Sequence, residues 1–527
     1  MVGFVLAGAG LRLWNLRDQV MGGDELHAVR AVAERSAARI VTQYSLVDYS
    51  LPITAFHRLL LDWGVSLSEM DFRLPAILCG LLAMIVLPRA WSGRVGRFPA
   101  ELYGWLVAFS PLFVVYSRIA RSYMPMVLLS FAAVMAFERW WNSGSRRAGV
   151  AYVVFGALAV WVHLGAGPIV ASPFLFAVGD LVRSRAWRRL RELVAIGLAI
   201  VAAMALYLVP AGPSLLKLVG NKHREIDIPW RTAGNVLVLE AGTRSWTLTA
   251  LFWAAALAGL VLLLRRDPRL GLFTLTVTLG HLAGILVLSP LGLNLPIVLN
   301  RYLLPVLPFV LLWVAVALGR TWIPHSGLVG VGLQRTASRL FIAFLFWTGP
   351  FLTHGYRDSS FMHHNDFVGF YNPLSTIPDE AVPGIYKHQL PDAPVIEAPW
   401  STVWEQNRTF YIYQLRHQRR VIVSAPFDVP RGPGFDFRNE VEPEPAAFLA
   451  SPARLLIVHL RVPWEEDRVV IPGRPFTRPM PPGLRRVYRR IGEKLAARLA
   501  AEWGQADYSD SLVRVWDLDR VRGSGRK

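Results

Sequence analysis

LPAILCGLLAMIVLPRAWS, residues 74–92, is a stretch built for a lipid bilayer, and residues 74–87 of it carry no charged side chain. About 20 apolar residues wound as a helix cross the hydrocarbon core of a membrane. No water is available there, and a helix is how one segment satisfies its own backbone N–H and C=O groups. Outward from this stretch, similar segments recur near 2–16, 99–117, 123–141, 148–164, 168–182, 193–210, 246–264, 270–291, 302–318 and 340–353. The pattern predicts an α-helical integral membrane protein with a bundle of about eleven spans.

Composition agrees: of 527 residues, 53% are hydrophobic and 18% charged, and mean hydropathy is +0.36. The net charge of +19 would suit a nucleic-acid binder. Its distribution argues for membrane topology instead. Arg89, Arg94 and Arg97 follow one span; Arg139, Arg146 and Arg147 another; Arg183, Arg185, Arg188, Arg189 and Arg191 a third. Arg265, Arg266 and Arg269, then Arg320, Arg335 and Arg339, continue the series. The intervening loops near 165 and 289–300 hold no Lys or Arg. The positive-inside rule puts the basic loops in the cytoplasm. Residues 17–73 and everything after 353 are then expected outside an inner or plasma membrane, with no nucleic-acid partner. A single cysteine, Cys79, excludes an intrachain disulfide and a thiolate metal cluster. Residues 2–16 lack a basic n-region and a cleavage site, so they read as a retained first helix. The segment is short for a span, which leaves the completeness of the N-terminus open.

Two stretches of the first outer loop have helical apolar spacing: Ala28, Val29, Val32, Ala33 and Ala37, then Ile53, Phe56, Leu59, Leu60 and Trp63. Both suit helices lying on the membrane or packed on the bundle. A second polar outer loop, 212–245, holds Lys217, Lys222, His223, Arg224, Glu225 and Asp227. After 353 the long apolar runs stop. Strand-like runs at 394–398, 420–424, 454–460 and 512–516 alternate with helical patterns at 401–416 and 484–503. That alternation predicts a small α/β domain over 354–527, beside a membrane domain over 1–353.

Several motifs, in order, carry a resemblance. They are Gly23-Asp24-Glu25, YSLPITAFHRLL (49–60), EMDFRLPAILCGL (69–81) and AFSPLFVVYSRIARSY (108–123). Weaker echoes follow at Trp161-Val162-His163 and at Asn300-Arg301-Tyr302-Leu303-Leu304-Pro305. Together they resemble bacterial relatives of the dolichyl-phosphate-mannose protein mannosyltransferases, a group that includes the lipid A aminoarabinose transferases within the GT-C superfamily. The resemblance implies a GT-C-type bundle and an inverting transfer outside the cytoplasm. A sugar would move from a polyprenyl-phosphate donor to a protein, lipid or glycan hydroxyl. The family carries an acid where Arg118 and Ile119 stand here. In the family that acid can serve a divalent metal, and its replacement here argues against a metal cofactor.

The resemblance assigns Asp24 as the general base. Glu25 would hold the acceptor, or orient Asp24 or a cation. Asp24 before a helical run equally suits an N-cap. Arg121 and Tyr123 match the family's Ala-Arg-x-Tyr, and Arg118 lies beside them. Arginine binds phosphate bidentately and keeps its charge in a dry site, though interfacial snorkelling is the plainer reading. Lys222 and Arg224 suit a lipid phosphate or, as well, anionic headgroups. His163 suits the cavity or an interhelical hydrogen bond. Arg301 and Tyr302 suit substrate contact or a place in the interfacial belt. His363, His364 and Asp366 read as an exposed loop more readily than as metal ligands. Two rival functions remain open at this stage: a lipid-linked sugar flippase and a catalytically silent scaffold.

Overall fold

The computed structural model describes residues 2–14, 16, 25, 31–32, 35–43, 51–65, 67, 69–216, 228–243, 245–290, 292–319, 328–349, 383–387, 390–391, 393–398, 445–460, 470–471, 474–475 and 482–524. Asp24, Lys222, Arg224, the 363–366 histidine run, the helix expected at 401–416 and the strand expected at 420–424 lie outside the described residues. A helical unit and a C-terminal α/β unit are each compact.

Each expected apolar segment is mainly helical over its described residues. The helices are α1 (Val2–Leu13), α2 (Ala37–Thr42), α3 (Leu51–Asp62), α4 (Glu69–Val95), α5 (Arg97–Phe109), α6 (Pro111–Arg118), α7 (Tyr123–Ser143) and α8 (Arg146–Val162). They continue with α9 (Gly167–Ser184), α10 (Leu190–Leu208), α11 (Trp230–Ala241), α12 (Trp246–Arg266), α13 (Pro268–Leu288), α14 (Pro296–Leu303), α15 (Leu307–Gly319) and α16 (Leu328–Trp347). Side-chain caps set several starts. Ser36, Ser145, Ser245 and Asp267 each accept a backbone N–H from the first turn of the helix that follows. The amphipathic stretch around Ile53 is α3, as its spacing predicts. Of the stretch around 28–37, Ala31 and Val32 are described as helical, and α2 begins at Ala37. The 212–245 loop contains α11, a helix its composition does not announce.

Among the described residues, six helical stretches are long and apolar enough to cross a membrane: Met70–Val95, Leu164–Ser184, Trp187–Leu208, Trp246–Arg266, Pro268–Leu288 and Pro296–Gly319. The pair α5 and α6, bent by 51°, makes a seventh. The remaining expected spans fall short for physical reasons. Helix α1 has 12 residues and α8 has 17, while α7 and α16 take in Glu138, Arg139, Arg335 and Arg339. These helices rely on neighbours as well as on lipid.

Prolines decide where the bundle bends. A proline lacks the N–H that the carbonyl four residues earlier would accept, and in lipid that carbonyl needs another donor. Three such carbonyls have found one. Pro75 orphans the Asp71 carbonyl, to which His57 Nε2 donates at 3.0 Å. Pro173 orphans that of Ile169, taken by Ser172 Oγ at 2.8 Å. Pro111 orphans that of Val107, and Arg12 of α1 reaches it at 3.3 Å, with the next carbonyl, Ala108, at 3.1 Å. The segment 99–117, which reads as one span, is therefore two helices with an arginine in the joint.

Helix α15 forms the centre, with every residue from Leu307 to Ala317 buried. Gly259 of α12 lets the two backbones meet: a Cβ there would stand 1.7 Å from the Trp313 carbonyl oxygen. Small residues permit such approach in membranes, where packing replaces the hydrophobic effect. By contrast Val194, Leu198, Val201 and Leu206 of α10 are exposed, as a lipid-facing helix requires. At the ends carrying the basic loops, acids pair with arginines: Glu138 with Arg94 (2.8 Å), Asp180 with Arg269 (2.9 Å) and Glu101 with Arg339 (3.0 Å).

The C-terminal unit holds β1 (Val395–Ala398), α17 (Pro445–Leu449), β2 (Leu455–His459), β3 (Val470–Ile471), β4 (Arg474–Pro475), α18 (Pro482–Trp503), β5 (Tyr508–Ser509), β6 (Val513–Asp517) and α19 (Leu518–Ser524). Its main sheet has the order β1-β2-β6-β5, with β1 parallel to β2 and the other pairs antiparallel. Ile396, Leu456, Val458, Leu495, Leu499 and Trp516 build its core. Three of the four expected strands are thus observed, as is the expected helix at 484–503.

Candidate functional site

The interesting polar groups gather where α4 begins, where α6 ends and where α14 lies. Arg73 is in the second turn of α4 and Arg94 in its last. At 1.5 Å per residue the two are about 30 Å apart along the axis, so this end of the bundle is opposite the basic loops.

Glu25 is buried here and its carboxylate is fully engaged. Arg73 donates through Nε to Oε1 at 3.0 Å and through Nη2 to Oε2 at 3.1 Å. The backbone N–H of Ala120 donates to Oε1 at 2.6 Å. Both side chains are at most 5% exposed. Arg73 is a residue that motif reading passed over. It lies inside the quoted run 69–81, and its signal was an arginine at the start of a span on the side poor in basic residues.

Helix α6 ends at Arg118, and a tight turn, with Arg121 N–H donating to the Ile119 carbonyl at 2.7 Å, leads to α7. Arg118 points back under the turn. Its Nη1 donates to the carbonyls of Leu11 and Arg12 at 2.9 and 3.1 Å, closing the C-terminal end of α1. Arg118 thus closes the end of α1, and Arg12 of α1 in turn closes the end of α5.

Arg121 is directed elsewhere. Its guanidinium stands 5.7 Å from the centre of the Tyr123 ring, and that of Arg301 stands 5.5 Å from the same ring. Arg301 Nε also donates to the Tyr116 hydroxyl at 3.3 Å. Tyr116 packs edge-on against Tyr123, with centroids 4.8 Å apart. Tyr123 meets His163 at 5.5 Å, and His163 meets Tyr302 at 6.1 Å. His163 Nδ1 accepts the Gly165 N–H at 3.0 Å, which leaves Nε2 to carry the proton of the neutral ring. Behind Tyr302, His281 Nε2 donates to its carbonyl at 2.7 Å. A Cβ on Gly165 would lie 2.9 Å from His163 Nδ1 and 3.0 Å from the Tyr302 ring, so glycine is what lets this loop close. Five of the expected site residues, Arg121, Tyr123, His163, Arg301 and Tyr302, therefore meet in one aromatic and cationic cluster. Glu25 and Arg118 lie at the adjoining turn, Glu25 against the Ala120 N–H and Arg118 at the end of α6.

Among the described residues, no three His, Cys, Asp or Glu side chains converge as metal ligands. Glu25 is committed to Arg73. The described donor set does not fit a divalent ion.

This architecture defines a multi-pass membrane protein: a helical bundle with bent spans, a polar cluster at one end and a small C-terminal sheet. Two solved structures that it is similar to are both of ArnT from Cupriavidus metallidurans. The apo form shares 14% identity at a TM-score of 0.50, over 80% of this chain and 84% of that one. The form bound to undecaprenyl phosphate shares 15% at 0.48, over 80% and 85%. The likeness at this identity concerns the fold. No known protein family and no curated protein sequence matches the chain.

Proposed function

We propose that this protein is a membrane glycosyltransferase that moves a sugar from a polyprenyl-phosphate donor to a hydroxyl of a protein, lipid or glycan on the extracytoplasmic side. The observation that carries the reading is the pair Arg121 and Arg301 set over one tyrosine ring. Two guanidiniums set near one ring concentrate positive charge at one place, which suits an anionic group. A phosphate oxyanion matches guanidinium geometry in two parallel hydrogen bonds. Tyr116 and His163 add hydroxyl and N–H groups that suit phosphate or sugar oxygens. The likeness in fold to the ArnT apo structure is support by analogy.

In this reading Asp24 takes the acceptor's proton as the hydroxyl attacks the anomeric carbon. The glycosyl–phosphate bond breaks in a single inverting displacement, and the arginines receive the charge left on the phosphate. The apolar carrier would lie against the exposed apolar faces of the bundle, out of water.

The test is transfer by the full-length protein in detergent from a polyprenyl-phosphate sugar. Asp24→Asn should lower the rate by about 10²–10⁴-fold, the usual yield of general-base catalysis, with carrier binding retained. An Asp24→Asn protein as fast as wild type would remove the base. Movement of the intact lipid-linked sugar across vesicles without transfer would make the protein a flippase, and binding with neither a scaffold.

A further inference from the structure

We infer that Arg73 and Glu25 form a positioning pair, which fixes the Ile119–Ser122 turn and, through it, Arg121 for the carrier phosphate. The inference rests on the phosphate reading above. The Ala120 N–H lies just past the end of α6, where helical carbonyls no longer serve it. It donates instead to a carboxylate, and a bond to a charged acceptor is about twice as strong as a neutral one. That carboxylate is gripped through both oxygens by Arg73, which belongs to the 27-residue helix α4. The turn is thereby bolted to a rigid element at Ala120. On its other side Ser122 accepts the Met126 N–H at 2.9 Å, at the start of α7. Arg121 is held between the two fixed points, so its backbone has little freedom and its side chain is delivered to the Tyr123 ring.

A buried ion pair adds little net stability, because the cost of removing both charges from water offsets their attraction. Its value here is geometric: a planar guanidinium gripping a carboxylate through two bonds fixes distance and angle together. Position 25 also directly follows the proposed base in sequence. One tether therefore joins the segment that bears Asp24 and the turn that bears Arg121 to the same helix. Glu25 then acts through Arg121, and the second acid of the pair is a strut while the first does the chemistry.

The experiment compares two probes on full-length protein in detergent, undecaprenyl phosphate and undecaprenol, by native mass spectrometry or tryptophan quenching. Arg73→Met and Glu25→Gln should each weaken undecaprenyl phosphate binding by about tenfold, the worth of a hydrogen bond to a charged group, and leave undecaprenol binding unchanged. Arg73→Lys, which keeps the charge but loses the fork, should recover part of the loss. General damage to the fold would lower both probes alike and would overturn the positioning role. Either single variant leaves a lone buried charge and is prone to misfold. The double variant Arg73→Met with Glu25→Gln removes both charges, and should melt near the wild-type temperature while keeping the phosphate-specific defect. A double variant that binds undecaprenyl phosphate as wild type does would overturn the pair's role alone. A wild-type protein indifferent to the phosphate would overturn the phosphate reading, and this inference with it.

Discussion

Glu240 shows what burial does to a single carboxyl. It sits on α11, outside the spans, and burial pushes its pKa from the ordinary 4.5 up to about 8. The folded chain therefore favours the protonated form. That contribution to stability is full below about pH 4.5, fades as pH rises and is lost once pH passes about 8. Glu240→Gln has no proton to lose. The wild type should lose more melting temperature than the variant between about pH 5 and pH 8.5, and parallel melting curves would reject a neutral Glu240. This carboxyl stands in a loop that reads as polar, so its burial was not legible from its neighbours in sequence. Arg118 makes the same point from the other direction. Its motif neighbourhood suggests phosphate, yet it closes α1 through the carbonyls of Leu11 and Arg12. Which helix end lies beside an arginine is a fact of space.

At the scale of elements, the joint between α5 and α6 depends on α1. Arg12 donates through Nε to Ser117 Oγ at 3.2 Å and through its terminal nitrogens to the carbonyls of Gly8, Ala108 and Val107. Arg12→Met would leave the Val107 and Ala108 carbonyls without this donor. We expect a loss of about 2–4 kcal/mol, since each buried unsatisfied polar group costs about 1–3, read as a lower melting temperature in detergent. Pro111→Ala in the same background returns an N–H to Val107 and should recover part of it. No recovery would mean that Arg12 serves its other partners rather than the proline. The helices themselves were legible, because uninterrupted apolar runs, serine and aspartate caps and glycine ends are local signals. The bend was half legible: Pro111 marks where it falls, but nothing nearby in sequence names Arg12 as the donor that makes it tolerable.

At the scale of the whole molecule, arginine clusters in alternate loops predict one orientation. In a Cys79→Ser background, a single cysteine placed at Lys222 should react with a membrane-impermeant maleimide on intact cells. One placed at Arg188 should react only after the membrane is opened. The reverse pattern would put Glu25, Arg73 and the Arg121–Arg301 cluster on the cytoplasmic side, where an extracytoplasmic transfer has no place. The sequence alone determined that this chain is a membrane bundle with a small α/β unit after it, because hydropathy, caps and strand alternation act over a few residues. It also supplied most members of the polar cluster as ordered motifs. Only the tertiary structure decided which of them share a ring, which arginine holds Glu25, and that a span is broken and mended by a residue about a hundred positions away (Arg12 to Val107, 95 apart). Those outcomes are set by long-range packing in lipid, where an orphaned carbonyl or a buried charge must take whatever donor the fold brings to it.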